Sequence, residues 1–288
     1  MSVRQVKQLD RWYKVSRNER SRAEAFLRER EKYCVSASGR FLGMKESRDH
    51  LWYMPGAESE ISALLIHSRQ TLFPVFDSNV QISAPRFLEH FLGKVYIHAI
   101  QGLRESAERL EALMEELGYY ALERIEYELM NLDDVTAISR TIKECPAPLV
   151  MRPPLPEDEA HIFALQSAYE KEEVLPANAV FNPDAVRLNM RNILKKEQVL
   201  VAELDGQIVG KINTSAESFT RYQIGGVYVR PDCRNLGIGS KMTCVFAETL
   251  LSHGKGVSLF VKKRNTAACK VYRKTGFSST ADYRITYY

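Results

Sequence analysis

No apolar run in the 288-residue chain approaches the roughly 18 residues that a membrane-spanning helix needs. The first 31 residues, dense in Arg, Lys and Glu, hold no apolar block of signal-peptide type, so a cytoplasmic protein with no membrane partner is expected. Cysteine is sparse: Cys34, Cys145, Cys233, Cys244 and Cys269 are odd in number, widely spaced and form no C-x-x-C pair. That argues against a disulfide framework and a zinc ribbon and for reduced thiols. The six histidines, His50, His67, His90, His98, His161 and His253, show no H-E-x-x-H or other ligand spacing, and no metal site is expected. Charge of one sign is also lacking. With 40 basic against 36 acidic residues the net charge is +4, too small to indicate nucleic acid but compatible with an anionic small ligand.

What the chain does have is the composition of a folded protein, 45% hydrophobic and 26% charged. At roughly 150 residues per domain its length argues for two domains. Pro146, Pro148, Pro153, Pro154 and Pro156 crowd a stretch that no helix interior tolerates. The boundary is therefore expected near Cys145, giving domains 1–145 and 146–288. In the second, a short strand at 149–152 precedes a helix at 157–168, and Asp205-Gly206 joins strands 198–204 and 207–215 as a hairpin. A strand at 221–229, a helix at 239–253 and an apolar strand at 257–261 read as a right-handed parallel crossover. A helix at 265–274 and an alternating strand at 282–288 close the chain.

The first half faintly echoes this order. It offers a hairpin of 51–54 with 61–67, a strand at 94–100, a helix carrying Leu103, Ala107, Leu110, Met114 and Leu117, and a strand at 122–132. Where the second half has a glycine-rich turn, the first has Ser83-Ala84-Pro85-Arg86-Phe87, with no glycine.

That turn is the most informative segment. In Val227-Tyr228-Val229-Arg230-Pro231-Asp232-Cys233-Arg234-Asn235-Leu236-Gly237-Ile238-Gly239-Ser240 a strand enters a turn whose glycines let a ligand approach the backbone. The helix that follows aims its free N–H groups and positive dipole end at the same place, as an anion site requires. The segment is neither a P-loop nor a dinucleotide fingerprint, because G-K-[ST] is missing and Met242 stands where a glycine would be needed.

The strand, the R-x-x-G-x-G turn, the apolar strand, and then Asn265, Ala268, Tyr272, Gly276 and Phe277 follow in an order that resembles the GNAT superfamily of acetyl-CoA-dependent acyltransferases. The resemblance covers 146–288, and the first half looks like the degenerate partner domain of tandem GNAT proteins. It implies an α/β (α+β) fold of two GNAT-like domains. Each would be a mixed, mostly antiparallel sheet with a parallel, splayed central strand pair flanked by helices. It further implies that Arg234, Asn235, Leu236, Gly237, Ile238, Gly239 and Ser240 cradle the pyrophosphate of acetyl-CoA with backbone amides. Val227, Tyr228 and Val229 would bond the pantetheine arm, beside a bulge expected at Gly225-Gly226, with Asn265 reaching the same arm and Tyr272 pointing at the thioester sulfur.

The expected reaction is acetyl transfer to a primary amine of a small molecule or peptide. A phenol beside the sulfur can protonate a thiolate whose thiol has a pKa of roughly 8.5, which makes Tyr272 the candidate general acid. Backbone donors at Val227 or Tyr228 could hold the developing oxyanion. For the base, Glu170, Glu172 and Glu173 form an acidic cluster suited to a cationic amine, with Glu172 and Glu173 taken as catalytic candidates; Gln223 or Tyr228 holding a water is the other route. Lys262, Lys263, Arg264, Lys270, Arg273 and Lys274 could meet the ribose phosphate or simply be solvated. The competing reading is a non-catalytic acyl-CoA-binding or sensing protein. Nucleic-acid binding, resting on Arg11, Lys14, Arg17, Arg20 and Arg22 around Trp12 and Tyr13, is explained better by a solvated amphipathic helix. The first half, expected to hold no cofactor, is left to shape the acceptor cleft, stabilise a homodimer or bind a partner.

Overall fold

The computed structural model describes residues 11–45, 48–56, 60–82, 85–138, 145–146, 148–176 and 179–288, which form two compact units. The first comprises Met1–Glu128 with Ala281–Tyr288, and the second Leu129–Thr280. No helix among the described residues is long and apolar enough to cross a membrane.

In the first unit, Ala63, Leu64, Leu65 and Ile66 are all fully buried, as a strand covered on both faces must be. They lie in β3 (Ile61–Ser68), between β2 (His50–Pro55) and β4 (Thr71–Phe76), with the two-residue β1 (Tyr13–Lys14) beyond β2; all these pairings are antiparallel. β4 meets β5 (Ala99–Leu103) in parallel over only Thr71↔Ala99 and Leu72↔Ile100. β5 then pairs antiparallel with the last strand of the chain, β12 (Ser278–Tyr287), which borders β6 (Glu123–Leu132). Helices α1 (Arg20–Glu29), α2 (Val35–Leu42), α3 (Pro85–Leu92) and α4 (Arg104–Glu116) complete the unit. Ala107, Leu110 and Met114 of α4 recur at helical spacing and pack with Leu88 and Phe91 of α3 onto Leu65, Leu72 and Ile100.

The second unit runs from the end of β6 through β7 (Leu149–Arg152), α5 (Glu159–Tyr169), a π-helical turn (Glu170–Val174), α6 (Pro183–Lys196), β8 (Val199–Leu204), β9 (Gln207–Glu217), β10 (Arg221–Val229), α7 (Ile238–Ser252), β11 (Gly256–Lys262) and α8 (Thr266–Lys274). Its strand order is β6-β11-β10-β9-β8-β7, with β10 and β11 parallel and β7 to β10 antiparallel. Asp205 and Gly206 both take positive φ, 50° and 74°, the hairpin turn expected for that pair. Met242, Phe246 and Leu250 of α7 enter the core with Ile224, Val257 and Leu259. The mixed, mostly antiparallel sheet with one parallel pair is the expected fold class in both units.

Several details differ from the sequence reading. The units part at Glu128/Leu129 rather than near Cys145, because β6 is one continuous strand that begins in the first unit and ends in the second. The closing strand expected for the second half belongs from Ala281 onward to the first unit, where Tyr283 to Tyr287 pair with β5. Alternation reveals a half-buried strand but not which neighbour it joins. The strand expected at 94–100 lies at Ala99–Leu103, and α6 was not expected at all, although Asn182 caps it by accepting from the Asp184 and Ala185 N–H groups at 3.0 Å and Pro183 fills its first turn. The glycine-free stretch of the first half begins at Ser83 and Ala84, which lie outside the described residues.

Candidate active site

β10 and β11 pair from Arg221↔Gly256 to Ile224↔Leu259, and no further. Beyond that point β10 continues to Val229 and β11 to Lys262, so the two strands end apart. On its other side β10 keeps to β9 but slips register between Gly225↔Asn213 and Tyr228↔Lys211. The slip is a bulge at Gly226, where the sequence placed one, with φ at +59°. A Cβ there would come within 2.2 Å of the Asn213 Oδ1 and 2.8 Å of the Lys211 Nζ, so only glycine fits.

Lys211 is the residue the sequence reading missed. Its Nζ, on a side chain 1% exposed, donates to the Gly226 carbonyl at 2.9 Å and to the Asn213 Oδ1 at 3.0 Å, clamping the bulge from within the unit. It also lies 5.0 Å from the centre of the Tyr169 ring. Burial pushes its ammonium down to about 7, against the opposing pull of Glu170. The signal was a lysine inside the otherwise apolar run Ile208-Val209-Gly210-Lys211-Ile212.

After β10, a short turn at Pro231–Cys233 leads through Asn235, at φ 64°, to Gly237, at φ 81°, which starts α7. No side chain caps this 15-residue helix, and no acidic residue sits in its first turn. Ile238 is buried in the core and anchors the helix, Leu236 packs half-buried against that core, and Gly239 and Ser240 are half-exposed. A Cβ on Gly239 would meet only the Val229 Cγ2, at 3.7 Å. The chain's own packing therefore does not require a glycine there. An uncapped, acid-free helix start reached along an unpaired strand edge with half-exposed Val227 and Val229 suits a molecule with a phosphate end and an extended polar arm, such as CoA.

The π-helical turn closes with the Leu175 N–H donating to the Glu170 carbonyl at 2.9 Å, and it sends its three carboxylates to three different partners. Glu170 is buried and accepts from the Gln166 amide at 2.9 Å and the Asn189 amide at 3.3 Å. The Glu172 Oε2 accepts from the Arg234 Nη2 at 2.8 Å and from the Tyr228 hydroxyl at 3.1 Å. The Arg234 guanidinium holds the Glu172 carboxyl below its usual range. Glu173 Oε1 accepts from the Asn265 amide at 2.9 Å, and its other oxygen lies 3.7 Å from the Lys262 Nζ. Lys262 is thus buried and turned inward, while Lys263, Arg264, Lys270, Arg273 and Lys274 are exposed.

Asn265 also caps α8, its Oδ1 accepting from the Ala268 N–H at 3.0 Å, which sets Tyr272 two turns on against the core. Tyr272 is 8% exposed, packs edge-on to Phe277 with ring centres 6.1 Å apart, and its hydroxyl has no hydrogen-bond partner among the described residues. Burial, reinforced by Tyr169 and Glu173, raises its pKa far above that of free phenol. The structure thus gathers Tyr272, Asn265 and Glu173 on one side and Tyr228, Arg234 and Glu172 on the other. Gln223 instead donates to the Ser215 Oγ at 3.0 Å, and burial lifts the Cys244 thiol to about 11, as befits a small core residue.

Comparison with known proteins gives this geometry a setting. Residues 162–277 match the model of the acetyltransferase (GNAT) family. Over 93 residues the chain is 32% identical to the mycothiol acetyltransferase of Cellulomonas flavigena, a stretch covering 28% of this chain and about a quarter (27%) of that relative. Among solved structures, a Drosophila protein aligns with a TM-score of 0.68 at 12% identity, over 97% of this chain and 99% of its own. A tandem GNAT protein from the clavulanic acid biosynthesis pathway aligns at 0.57 and 11% identity, over 96% and 97%. The GCN5-related N-acetyltransferase of Sphaerobacter thermophilus aligns at 0.57 and 17%, over 96% and 95%. The second unit thus carries a stretch, residues 162–277, that matches the acetyltransferase (GNAT) family model, and the chain as a whole is similar in fold to the tandem GNAT protein.

Proposed function

We propose that the chain transfers an acetyl group from acetyl-CoA to a primary amine of a small molecule or peptide, by direct attack of the amine and with Tyr272 as general acid. The observation that carries this reading is the coincidence of an opened parallel strand pair with an uncapped helix start directly beyond it. When bound, acetyl-CoA supplies the activated acyl group, whose carbon–sulfur bond breaks as the carbon–nitrogen bond forms. The amides of Gly239 and Ser240 and the turn from Arg234 to Gly237 hold the pyrophosphate; the edge of Val227, Tyr228 and Val229, with Asn265, holds the arm. Lys211 fixes the bulge that opens this edge.

Burial keeps the Tyr272 phenol protonated, so it donates to the departing sulfur, which the same dry surroundings make a stronger acceptor. Of the two candidate bases, Glu173 is the better placed, because Glu172 is held ionised by Arg234 and is the weaker proton acceptor. The neutral amine gives its proton to Glu173 while the phenol proton goes to sulfur; on product release Glu173 gives its proton up to solvent and the phenol recovers one, restoring both groups. The test is thiol release from acetyl-CoA across a panel of amines, with wild type and Tyr272→Phe. Turnover that falls while cofactor binding holds supports the reading. Equal loss of both contradicts the assigned acid.

One observation favours the second reading, a non-catalytic acyl-CoA sensor: all three carboxylates of the π-helical turn already have partners. Tight acetyl-CoA binding without thiol release for any amine would establish it.

A further inference from the structure

The first unit contains a cavity of about 590 Å³ that the acetyl-transfer reading does not use. It lies where the end of α2, Lys45, Arg48 and Asp49 ahead of β2, and the turn between β3 and β4 come together, within a size range ordinary for small-molecule sites. Among the described residues four cations line it, Arg40, Lys45, Arg48 and Arg69, against one carboxylate, Asp49. That carboxylate is engaged locally, accepting from the Lys45 N–H at 2.7 Å to close its own loop. Lys45, Arg48 and Arg69 are exposed at the rim and make no ion pair among the described residues.

The inner wall carries a second, independent observation. His67 lines the cavity, is 6% exposed, and neither ring nitrogen has a hydrogen-bond partner among the described residues; the Tyr96 backbone comes near without closing one. The ring is held by stacking on His50, centres 5.6 Å apart, and by the edge of Phe91 at 5.4 Å. A buried imidazole with both nitrogens unsatisfied is costly, and such groups are found where a site is built rather than where packing alone decides. Next to it, Arg69 and Gln70 form the β3–β4 turn at φ 49° and 65°, positions at which glycine or asparagine is usual.

We propose that this cavity is a binding site for a small phosphorylated molecule, its phosphate held by the guanidinium groups of Arg40, Arg48 and Arg69, with the His67 ring in the wall behind them. Planar guanidinium forks match the oxygens of phosphate, and three of them around one opening favour it over a singly charged carboxylate. The site is distinct from the turn that starts α7. It belongs to the other unit, and it lies at the beginning of β4, away from the connection following that strand, where the glycine-free stretch stands.

Inorganic pyrophosphate is the probe. Calorimetric titration of the full chain is expected to show a site that Arg48→Glu with Arg69→Glu weakens by roughly tenfold or more and Gly237→Val leaves unchanged. In histidine-labelled protein, pyrophosphate should shift the ring resonances assigned to His67 through a His67→Gln variant. Because the two arginines are exposed, their reversal tests the site without disturbing the core. No binding by the wild type overturns the proposal. So does binding that survives the double reversal but disappears in Gly237→Val, since pyrophosphate would then be occupying the α7 turn. Failure of acetyl-CoA to bind in the second unit would leave this result standing.

Discussion

Tyr272 and Lys211 lie in the same unit and burial drives both toward neutrality, the phenol by raising its pKa and the ammonium by lowering it to about 7. For Tyr272 this predicts that the phenylalanine variant packs as before and loses only the proton. Turnover should fall about a hundredfold or more while the acetyl-CoA affinity stays within about twofold, measured by steady-state kinetics and calorimetry. For Lys211 the consequence is a pH-dependent stability. Below about pH 7 the amine is charged in both folded and unfolded chains and the whole cost of burying it is felt. Between about 7 and 10.5 the unfolded chain keeps a proton that the folded one has shed, so stability rises with pH and the cost fades. Lys211→Met should therefore gain in Tm relative to wild type at about pH 6 compared with about pH 9; a difference independent of pH contradicts a depressed Lys211. Tyr272 and Asn265 were singled out in the sequence because their spacing resembles that of the family, and the structure places Asn265 at the start of α8 and Tyr272 within it. Lys211 was not singled out, since no local pattern reveals that a bulge on the neighbouring strand will need a donor beneath it.

At the scale of elements, two glycines of the site are required for different reasons. Gly226→Ala puts a Cβ against Asn213 at a left-handed φ and should cost about 1–3 kcal/mol, read from the urea midpoint. Gly239→Ala meets only Val229 at 3.7 Å and replaces a helix-weakening residue, so stability should hold or rise by up to about 1 kcal/mol. Acetyl-CoA affinity should nevertheless fall. Unchanged affinity would mean that the backbone of this turn approaches no ligand. The R-x-x-G-x-G turn and the apolar β11 were readable because each has a strong local signature. β4 was overlooked because Pro74 speaks against a strand interior. The structure accommodates it because pairing with β5 has already ended at Leu72, so no ladder bond on that side needs the missing N–H.

For the whole molecule, sequence order and unit membership diverge at the C terminus. Arg284 is nearly buried and pairs with Glu108, Glu111 and Glu126, and the Thr286 hydroxyl donates to the Glu111 Oε1 at 2.6 Å. Removing Ala281–Tyr288 should thus lower hydrogen-exchange protection in β5 and α4 of the first unit while β10 and α7 keep theirs. Loss confined to β10 and α7 would contradict the assignment. Proline density could not show this division, because it marks where a chain turns and not which strands it later joins. The central claim, that the second unit binds acetyl-CoA on the opened edge and the α7 turn, is tested most directly by calorimetric titration of the full chain with acetyl-CoA, alongside Gly237→Val. The account predicts one site per chain, abolished in a variant whose circular dichroism shows it still folded. No binding by the wild type, or undiminished binding by Gly237→Val, would contradict it.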